Sequence, residues 1–111
     1  MRNVRILNFI PAEDPISLSK GVNLLLLIDN RGEETTACIR FYASDGTKWR
    51  ELLAEEKNLP GETHIHAYFH LPSECFAPEK WGGESPEELT VWAGEAPPEN
   101  DEQGQLLFFV P

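Results

Sequence analysis

The sequence predicts an all-β fold, an immunoglobulin-like sandwich of two antiparallel sheets with about seven strands. Short runs rich in β-branched and aromatic residues recur along the 111 residues, and clusters of Gly, Pro, Asn and Asp separate them. Apolar residues rarely recur with the 3.6-residue period of an amphipathic helix. The predicted strands span residues 3–10, 21–29, 35–44, 47–54, 62–71, 88–93 and 104–110.

The chain length predicts a single domain over residues 1–111. Two of its connections are long, 72–87 and 94–104. The first contains Phe76 and Trp81, and we expect these rings to hold the loop against the body of the domain. The second lies between the last two predicted strands, where sandwich folds commonly carry binding loops.

The pair Asp45-Gly46 lies between two β-rich runs and predicts a hairpin with a two-residue type I′ turn. In the register that this turn sets, Tyr42 faces Trp49 on the outer surface. Segment 48–58 also fits a helical period, and we interpret it as a strand because the turn precedes it. The inner face of the hairpin then supplies three core residues, Ile39, Phe41 and Leu52.

Two predicted strands, 21–29 and 104–110, are apolar on both faces. A strand of this kind is either covered on both faces or exposed for association. One hypothesis is that a folded-over loop, 72–87, provides the cover. The other is self-association or partner binding through Leu25, Leu27, Leu107 and Phe109.

All three histidines lie in the segment ETHIHAYFH, residues 62–70. Because side chains alternate along a strand, His64, His66, Tyr68 and His70 share one face. His64 and His66 would be about 6.6 Å apart and could begin a zinc site that takes a third ligand from elsewhere. The alternatives are a solvated face that needs only polar residues, or a polar ligand-binding surface around Tyr68. The opposite face is the predicted core face, with Ile65, Ala67, Phe69 and Leu71.

The formal net charge is −10, and no Lys or Arg follows Lys80. This balance argues against nucleic acid as a partner, because phosphate binding requires cationic side chains. Insertion into a membrane is not expected either, since no apolar run approaches about 20 residues. The acidic tail is either a set of solvated loops or a surface for a basic protein partner. The candidate partner-binding residues are Tyr42, Trp49, Tyr68, Glu99, Asp101 and Glu102.

The sequence predicts no enzyme activity and no cofactor. It has no glycine-rich phosphate loop, no G-x-S-x-G and no H-E-x-x-H. Its two cysteines, Cys38 and Cys75, do not form a Cys-x-x-Cys pair, and we expect both to be free thiols.

Turn residues recur in a distinctive order between about 20 and 70, namely Asp29, Asn30, Gly32, Asp45, Gly46, Leu59, Pro60 and Gly61. This order resembles that of bacterial immunoglobulin-like modules of the CARDB type, a family of cell-adhesion-related domains. The resemblance implies a seven-stranded sandwich that is usually one module of a larger surface protein. It concerns turns and says little about chemistry.

Three functions follow as hypotheses. The leading one is a non-catalytic, adhesion-type module that binds a protein partner. The second is a small acidic inhibitor or mimic of phage or mobile-element type, which would carry its negative charges on one continuous face rather than scattered. The third is a metal-binding protein that uses His64 and His66. The first residues have no long apolar stretch typical of a secretory signal, so we expect a cytoplasmic protein or a module of a longer surface protein.

Overall fold

The computed structural model describes residues 4–11, 20–46, 48–83, 89–95 and 105–109. These residues form seven strands and two short 3-10 helices, Ser73–Phe76 and Pro78–Lys80. The strands are β1 (Val4–Pro11), β2 (Val22–Asn30), β3 (Thr35–Ser44), β4 (Trp49–Leu59), β5 (Thr63–Leu71), β6 (Leu89–Gly94) and β7 (Gln105–Phe109).

The strands form two antiparallel sheets, and the predicted all-β sandwich is confirmed. One sheet has the order β1-β2-β5 and the other has the order β4-β3-β6-β7. In constant-type immunoglobulin domains the fourth strand joins the first sheet. Here β4 stays beside β3, its hairpin partner, so the two sheets have three and four strands.

The core lies between the sheets, and β1, β2, β3, β5 and β6 contribute alternate residues to it, as the two-residue period requires. Phe41 of one sheet and Phe69 of the other meet edge to face, with ring centroids 5.1 Å apart. Ile39 and Phe41 are fully buried as predicted, and Leu52 is partly buried against the core. The largest fully buried side chains are Phe41, Phe69, Leu24, Leu26, Ile28, Ile39, Leu59, Leu71 and Val22.

The segment after β5 folds back onto the core, as its aromatic residues predict. Cys75, Phe76 and Trp81 are all buried members of the core cluster, which does not include Leu25 or Leu27. The indole N–H of Trp81 donates a 2.9 Å hydrogen bond to the carbonyl of Cys75. The described part of this loop therefore extends the core instead of covering the outer side of β2.

The hairpin between β3 and β4 has a different register from the predicted one. Ser44 pairs with Trp49, so the connection has four residues, and a bulge next to Tyr42 then shifts the register again. Gly46 has a positive φ of 104°, but Asp45 does not, and a type I′ turn requires both. The Ser44 hydroxyl instead accepts a 3.0 Å hydrogen bond from the Gly46 N–H and stabilises the wider turn. Tyr42 consequently pairs with Glu51 rather than with Trp49.

One buried side chain, Asn30, joins two loops at one end of the sandwich. Its amide group donates hydrogen bonds to the carbonyls of Glu33 (2.9 Å) and Pro60 (3.0 Å), and its oxygen accepts one from the Gly32 N–H (3.0 Å). Gly61 lies so close to these loops that an added Cβ would be 3.0 Å from the backbone nitrogen of Glu34. The turn residues that follow β2 and β4 in sequence thus form one structural unit.

Candidate interaction surface

Strand β5 has the predicted alternation. His64, His66, Tyr68 and His70 are exposed on the outer side of the three-stranded sheet. The intervening residues point inward, and Ala67, Phe69 and Leu71 are buried while Ile65 is partly buried. The sequence therefore located one strand of a surface correctly, but the surface itself depends on the neighbouring strands.

The register of β2 sets apolar side chains beside the histidines. Leu25 pairs with Tyr68 on one side and with Ile10 of β1 on the other, which makes a lateral row of three large side chains. The next row has Leu27 in the same central position, between His66 and Asn8. Directly paired residues lie on the same face of a sheet, so these rows form one continuous surface.

We call this surface the histidine face. Among the residues whose side chains the structure describes, which exclude those of 11, 89 and 105–109, the exposed large hydrophobic side chains are Leu7, Ile10 and Tyr68, with 41%, 46% and 53% of their surface exposed. All three lie on this face, Leu7 at a bulge in β1. The histidine face consists of Leu7, Asn8, Ile10, Asn23, Leu25, Leu27, His64, His66, Tyr68 and His70.

A shared hydrogen-bond acceptor orders one end of the histidine face. The Tyr68 hydroxyl and Nδ1 of His70 both lie 2.6 Å from Oδ1 of Asn23. An amide oxygen only accepts, so the contact with His70 is a hydrogen bond in the tautomer that carries its hydrogen on Nδ1. Gly21 leaves space for this arrangement, because a Cβ there would lie 3.0 Å from the His70 ring and 2.8 Å from the Leu71 carbonyl oxygen. The polar groups at this end are therefore paired with one another.

Charged groups lie at the opposite end of the histidine face. Arg5, Asp29 and His64 follow one another across the three strands. The carboxylate of Asp29 accepts a 3.0 Å hydrogen bond from Nε of Arg31, so its charge is neutralised locally. This row is the charged border of a face whose other residues are apolar side chains, Tyr68, two asparagines and two further histidines.

His64 and His66 share a face as predicted, but the structure does not complete a metal site around them. Within the described ranges, no group of three or more His, Cys, Asp or Glu side chains is arranged to hold a metal ion. Zinc sites normally use three or four protein ligands. Metal binding by these two histidines stays a prediction to be measured.

The other predicted partner-binding residues lie elsewhere. Tyr42 and Trp49 are half-buried in the four-stranded sheet, away from Tyr68. The Tyr42 hydroxyl lies 3.5 Å from the carboxylate of Glu51, which forms a 3.0 Å ion pair with Arg40. Burial, with the nearby Glu51 charge, raises the pKa of Tyr42 above its ordinary value. The predicted residues of the acidic loop, Glu99, Asp101 and Glu102, are outside the described residues.

The residues predicted for self-association belong to different sheets. Leu25 and Leu27 are half-buried within the histidine face. Leu107 pairs with Val91, and Phe109 pairs with Leu89, both in the four-stranded sheet. The two pairs therefore belong to strands of different sheets, and the first pair is part of the histidine face.

Sequence reasoning missed Leu7, Ile10 and Asn23. Strand β1 alternates poorly in sequence, because its bulge between Ile6 and Asn8 changes which residues face outward. Asn23 is an isolated polar residue at the start of an apolar strand, and this isolation was the signal that could have identified it.

The carboxylates of the described residues lie in several parts of the fold, and three of them, Glu33, Glu34 and Glu62, line one surface pocket at the Asn30 end. Three others form ion pairs with neighbouring cations, namely Asp29 with Arg31, Glu51 with Arg40, and Glu55 with Lys57. Others are exposed in the edge strand β4 and in the segment after β5. Such a distribution is the one expected of a solvated protein surface.

No family model matches this chain, and no curated protein matches it in sequence. In the part of the chain that is described, no helix is long and apolar enough to cross a membrane.

The fold is similar to parts of solved β-glucosidases. A β-glucosidase from Erythrobacter marinus matches 98% of this chain with a TM-score of 0.71 and 15% identity, and one from Listeria innocua matches 93% with a TM-score of 0.65 and 17% identity. A GH3 β-glucosidase from Bifidobacterium adolescentis matches 97% with a TM-score of 0.66 and 13% identity. The chain spans only 15–17% of the length of these three proteins. At this identity the likeness shows a shared fold: the whole chain corresponds to one domain-sized part of a much larger protein.

Proposed function

We propose that this protein is a non-catalytic β-sandwich module that binds another protein through the histidine face. The observation that carries the proposal is the concentration of exposed apolar side chains on one outer sheet face. Leu7, Ile10 and Tyr68 are each 41–53% exposed there, and Leu25 and Leu27 lie between them.

The composition of this face suits a protein interface. The cores of such interfaces are poor in charged residues and rich in aromatic side chains, and they exclude water when two surfaces pack. The ten residues of the histidine face include no Lys, Arg, Asp or Glu, and the charged residues Arg5 and Asp29 lie at its border, in the same row as His64. Unpaired polar groups would make burial costly, but Tyr68 and His70 already bond to Asn23. Binding at this end therefore requires little new pairing.

The structural comparisons support a modular role. A sandwich of the same size is a minor part of each similar β-glucosidase chain, so this fold occurs within proteins that carry their activity on a longer chain. By analogy, we propose that this chain contributes binding and not chemistry, and that its partner is either a further domain or a separate protein. The resemblance of its turns to cell-adhesion-related modules fits the same role.

The two other hypotheses have less support. An acidic inhibitor or mimic would present its carboxylates on one continuous face, and three of the described carboxylates are instead paired with neighbouring cations. A zinc protein would need a third ligand beside His64 and His66, and among the described residues no group of three His, Cys, Asp or Glu side chains is arranged to hold a metal ion.

Site-specific photo-crosslinking tests the proposal. Tyr68 is replaced by the photoreactive residue benzoylphenylalanine, and the same replacement at Tyr42 on the other sheet is the matched control. Both proteins are irradiated in an extract of the native host. We expect a discrete crosslinked partner from position 68 that disappears when excess unmodified protein competes.

Equal crosslinking from position 42, or none from position 68, would contradict the proposal. A partner captured only from position 42 would move the interaction to the four-stranded sheet.

A further inference from the structure

We infer that the free edge of β5 pairs with an extended segment of a partner protein, which adds a strand to the three-stranded sheet. The segment carries apolar side chains on its outer side and ends in basic residues beside Thr63. The inference rests on the proposed function, because the added strand would continue the histidine face.

The backbone of β5 is open on one side. β5 lies at an edge of its sheet, and its one neighbouring strand is β2. The two strands pair along the whole of Thr63–Leu71 without a register shift. In an edge strand every second residue directs its N–H and C=O groups away from the sheet, and among the described residues no strand pairs with these groups of β5. The outer edge is therefore a regular row of donors and acceptors with which an extended chain can pair.

The other edge strands with described side chains, β1 and β4, carry features that hinder such pairing. β1 has a bulge between Ile6 and Asn8 and ends at Pro11. β4 pairs with a register shift and carries four charged residues, Glu51, Glu55, Glu56 and Lys57. β5 contains no Lys, Arg, Asp, Glu, Pro or Gly. Proteins commonly protect edge strands with charges, prolines and bulges, so an edge without them is suited to a partner strand.

The two sides of the added strand would meet different surroundings. Its outward side chains would lie beside His66 and Tyr68, at a strand spacing of about 4.8 Å, and extend the histidine face. Its inward side chains would approach Lys57 of β4. The Nζ atom of Lys57 lies 4.9 Å from the centroid of the Phe69 ring and 3.1 Å from the carboxylate of Glu55. This ion pair favours polar side chains at the inner positions, so the segment alternates apolar and polar residues.

Charge selects the residues at one end of the segment. Glu62 directly precedes β5 and lines a surface pocket with Glu33, Glu34 and Arg31. The three carboxylates are exposed and take no part in the ion pairs between described residues, whereas Arg31 is paired with Asp29. Basic side chains at this end would therefore face an excess of negative charge. A strand antiparallel to β5, the commoner arrangement, brings its C-terminal end here, so the basic residues follow the apolar ones in sequence.

A second copy of this chain lacks this match. Its own β5 is followed by Pro72, Ser73 and Glu74, which would bring a further carboxylate beside Glu62. Each copy also carries a net charge of −10, so two copies repel one another. We therefore expect a different protein to supply the strand.

A synthetic peptide, Thr-Val-Thr-Val-Thr-Val-Thr-Lys-Lys with both ends blocked, is the probe. It is titrated to about 2 mM into the isotope-labelled protein in about 0.15 M salt, and the backbone amides are followed by NMR. We expect saturable binding that shifts the amide resonances of β5 and slows hydrogen exchange at every second residue of β5, with the amides of β4 unchanged.

Two further peptides test the backbone pairing. One is methylated on the backbone nitrogens of the valines and the other on those of the internal threonines. Because an added strand pairs through one of its edges, one of these peptides should lose binding and the other should retain it.

Charge variants test the orientation and the basic end. A peptide with Glu-Glu in place of Lys-Lys should bind at least about tenfold more weakly. Glu62→Gln should weaken binding of the lysine peptide about two- to fivefold. Glu56→Gln, at an exposed position of β4, is the matched control and should leave binding unchanged.

Absence of saturable binding would overturn the inference. Equal binding of the two methylated peptides would also overturn it, because a contact made by side chains alone does not depend on one backbone edge. Concentration-dependent shifts of the β5 amides without peptide would assign the edge to a second copy, and the proposed occupant would be wrong. If no peptide binds but position 68 captures a protein in the crosslinking experiment, the strand pairing is wrong and the proposed function stands. If there is neither peptide binding nor capture, both are wrong.

Discussion

Removal of the Asn30 side chain is expected to cost much of the stability of the domain. This residue is only 3% exposed and makes three short hydrogen bonds to the backbone, to Gly32, Glu33 and Pro60. The Leu59 carbonyl lies at the limit of a fourth, at 3.5 Å. Asn30→Ala removes all of them and leaves backbone groups of two loops without their partner.

The magnitude follows from the number of bonds lost. A hydrogen bond within a protein contributes about 1 kcal/mol net, and a buried group left unpaired costs about 1–3 kcal/mol. Because these loops are only partly buried, water can replace some of the bonds. We therefore expect Asn30→Ala to lower the free energy of unfolding by about 2–4 kcal/mol, a large part of the stability of a small domain. With a urea dependence of about 1–2 kcal/mol per molar, the midpoint should fall by about 2 M.

Urea unfolding followed by tryptophan fluorescence measures the effect. Asn58→Ala is the matched control, because Asn58 is exposed on β4 and the same atoms are removed. It should change the free energy of unfolding by less than about 0.5 kcal/mol. Asn30→Asp keeps the acceptor for the Gly32 N–H but turns a carboxylate toward two carbonyl oxygens, and it should destabilise at least as much as the alanine variant. An Asn30→Ala protein as stable as the Asn58→Ala protein would refute the account of the two loops.

Three further predictions concern the turn, the histidines and the cysteines. Gly46→Val should lower the free energy of unfolding, measured in urea, by more than about 1 kcal/mol, because a β-branched residue is strained at a φ of 104°. The cause is the backbone and not crowding, since a Cβ at this position meets no atom within 4 Å. A variant as stable as the parent would contradict this. Calorimetry with zinc should show weak binding, because zinc sites normally use three or four protein ligands. A variant with both His64→Ala and His66→Ala should remain folded. Tight one-to-one binding that is lost in this variant would instead establish a metal site. Burial raises the pKa of the Cys75 thiol, so less thiolate forms there at a given pH. Iodoacetamide at about pH 8 should therefore modify the half-buried Cys38 first, as measured by peptide mass spectrometry. Faster reaction at Cys75 would mean that the core opens readily.

The strands could be predicted from the sequence because a two-residue period and turn residues are local signals. The largest difference in a strand boundary concerns β4, which extends to Leu59 although the pattern predicts an end at residue 54. Residues 55–58 carry charged and polar side chains with no apolar alternation, yet their backbone pairs with residues 36–39 of β3. Charged side chains are common on edge strands, where they discourage pairing with other chains. The sequence pattern describes side-chain burial and does not reveal such backbone pairing.

The rows of the histidine face could not be predicted, because they depend on register between strands that are distant in sequence. The alternation of β5 places Tyr68 outward, but the pairing of Leu25 with Ile10 requires the bulge in β1. The hairpin of β3 and β4 illustrates the same limit. Its turn has the expected glycine, and a Ser44 hydrogen bond still selects a wider loop. Choices of this kind depend on single hydrogen bonds that a pattern of residue types does not specify.

Two asparagines at opposite ends of β2 fix the geometry of the histidine face. At one end, Asn30 pairs with Thr63 in the ladder while its side chain joins the loops that bring β2 and β5 together. At the other end, Asn23 binds the side chains of Tyr68 and His70. A shift of one residue between β2 and β5 would turn every side chain of β5 to the opposite face, and a shift of two would replace His70 as the residue directly opposite Asn23. The turn residues that resemble a family of modules, and the exposed residues proposed to bind a partner, are therefore linked through the register of a single pair of strands.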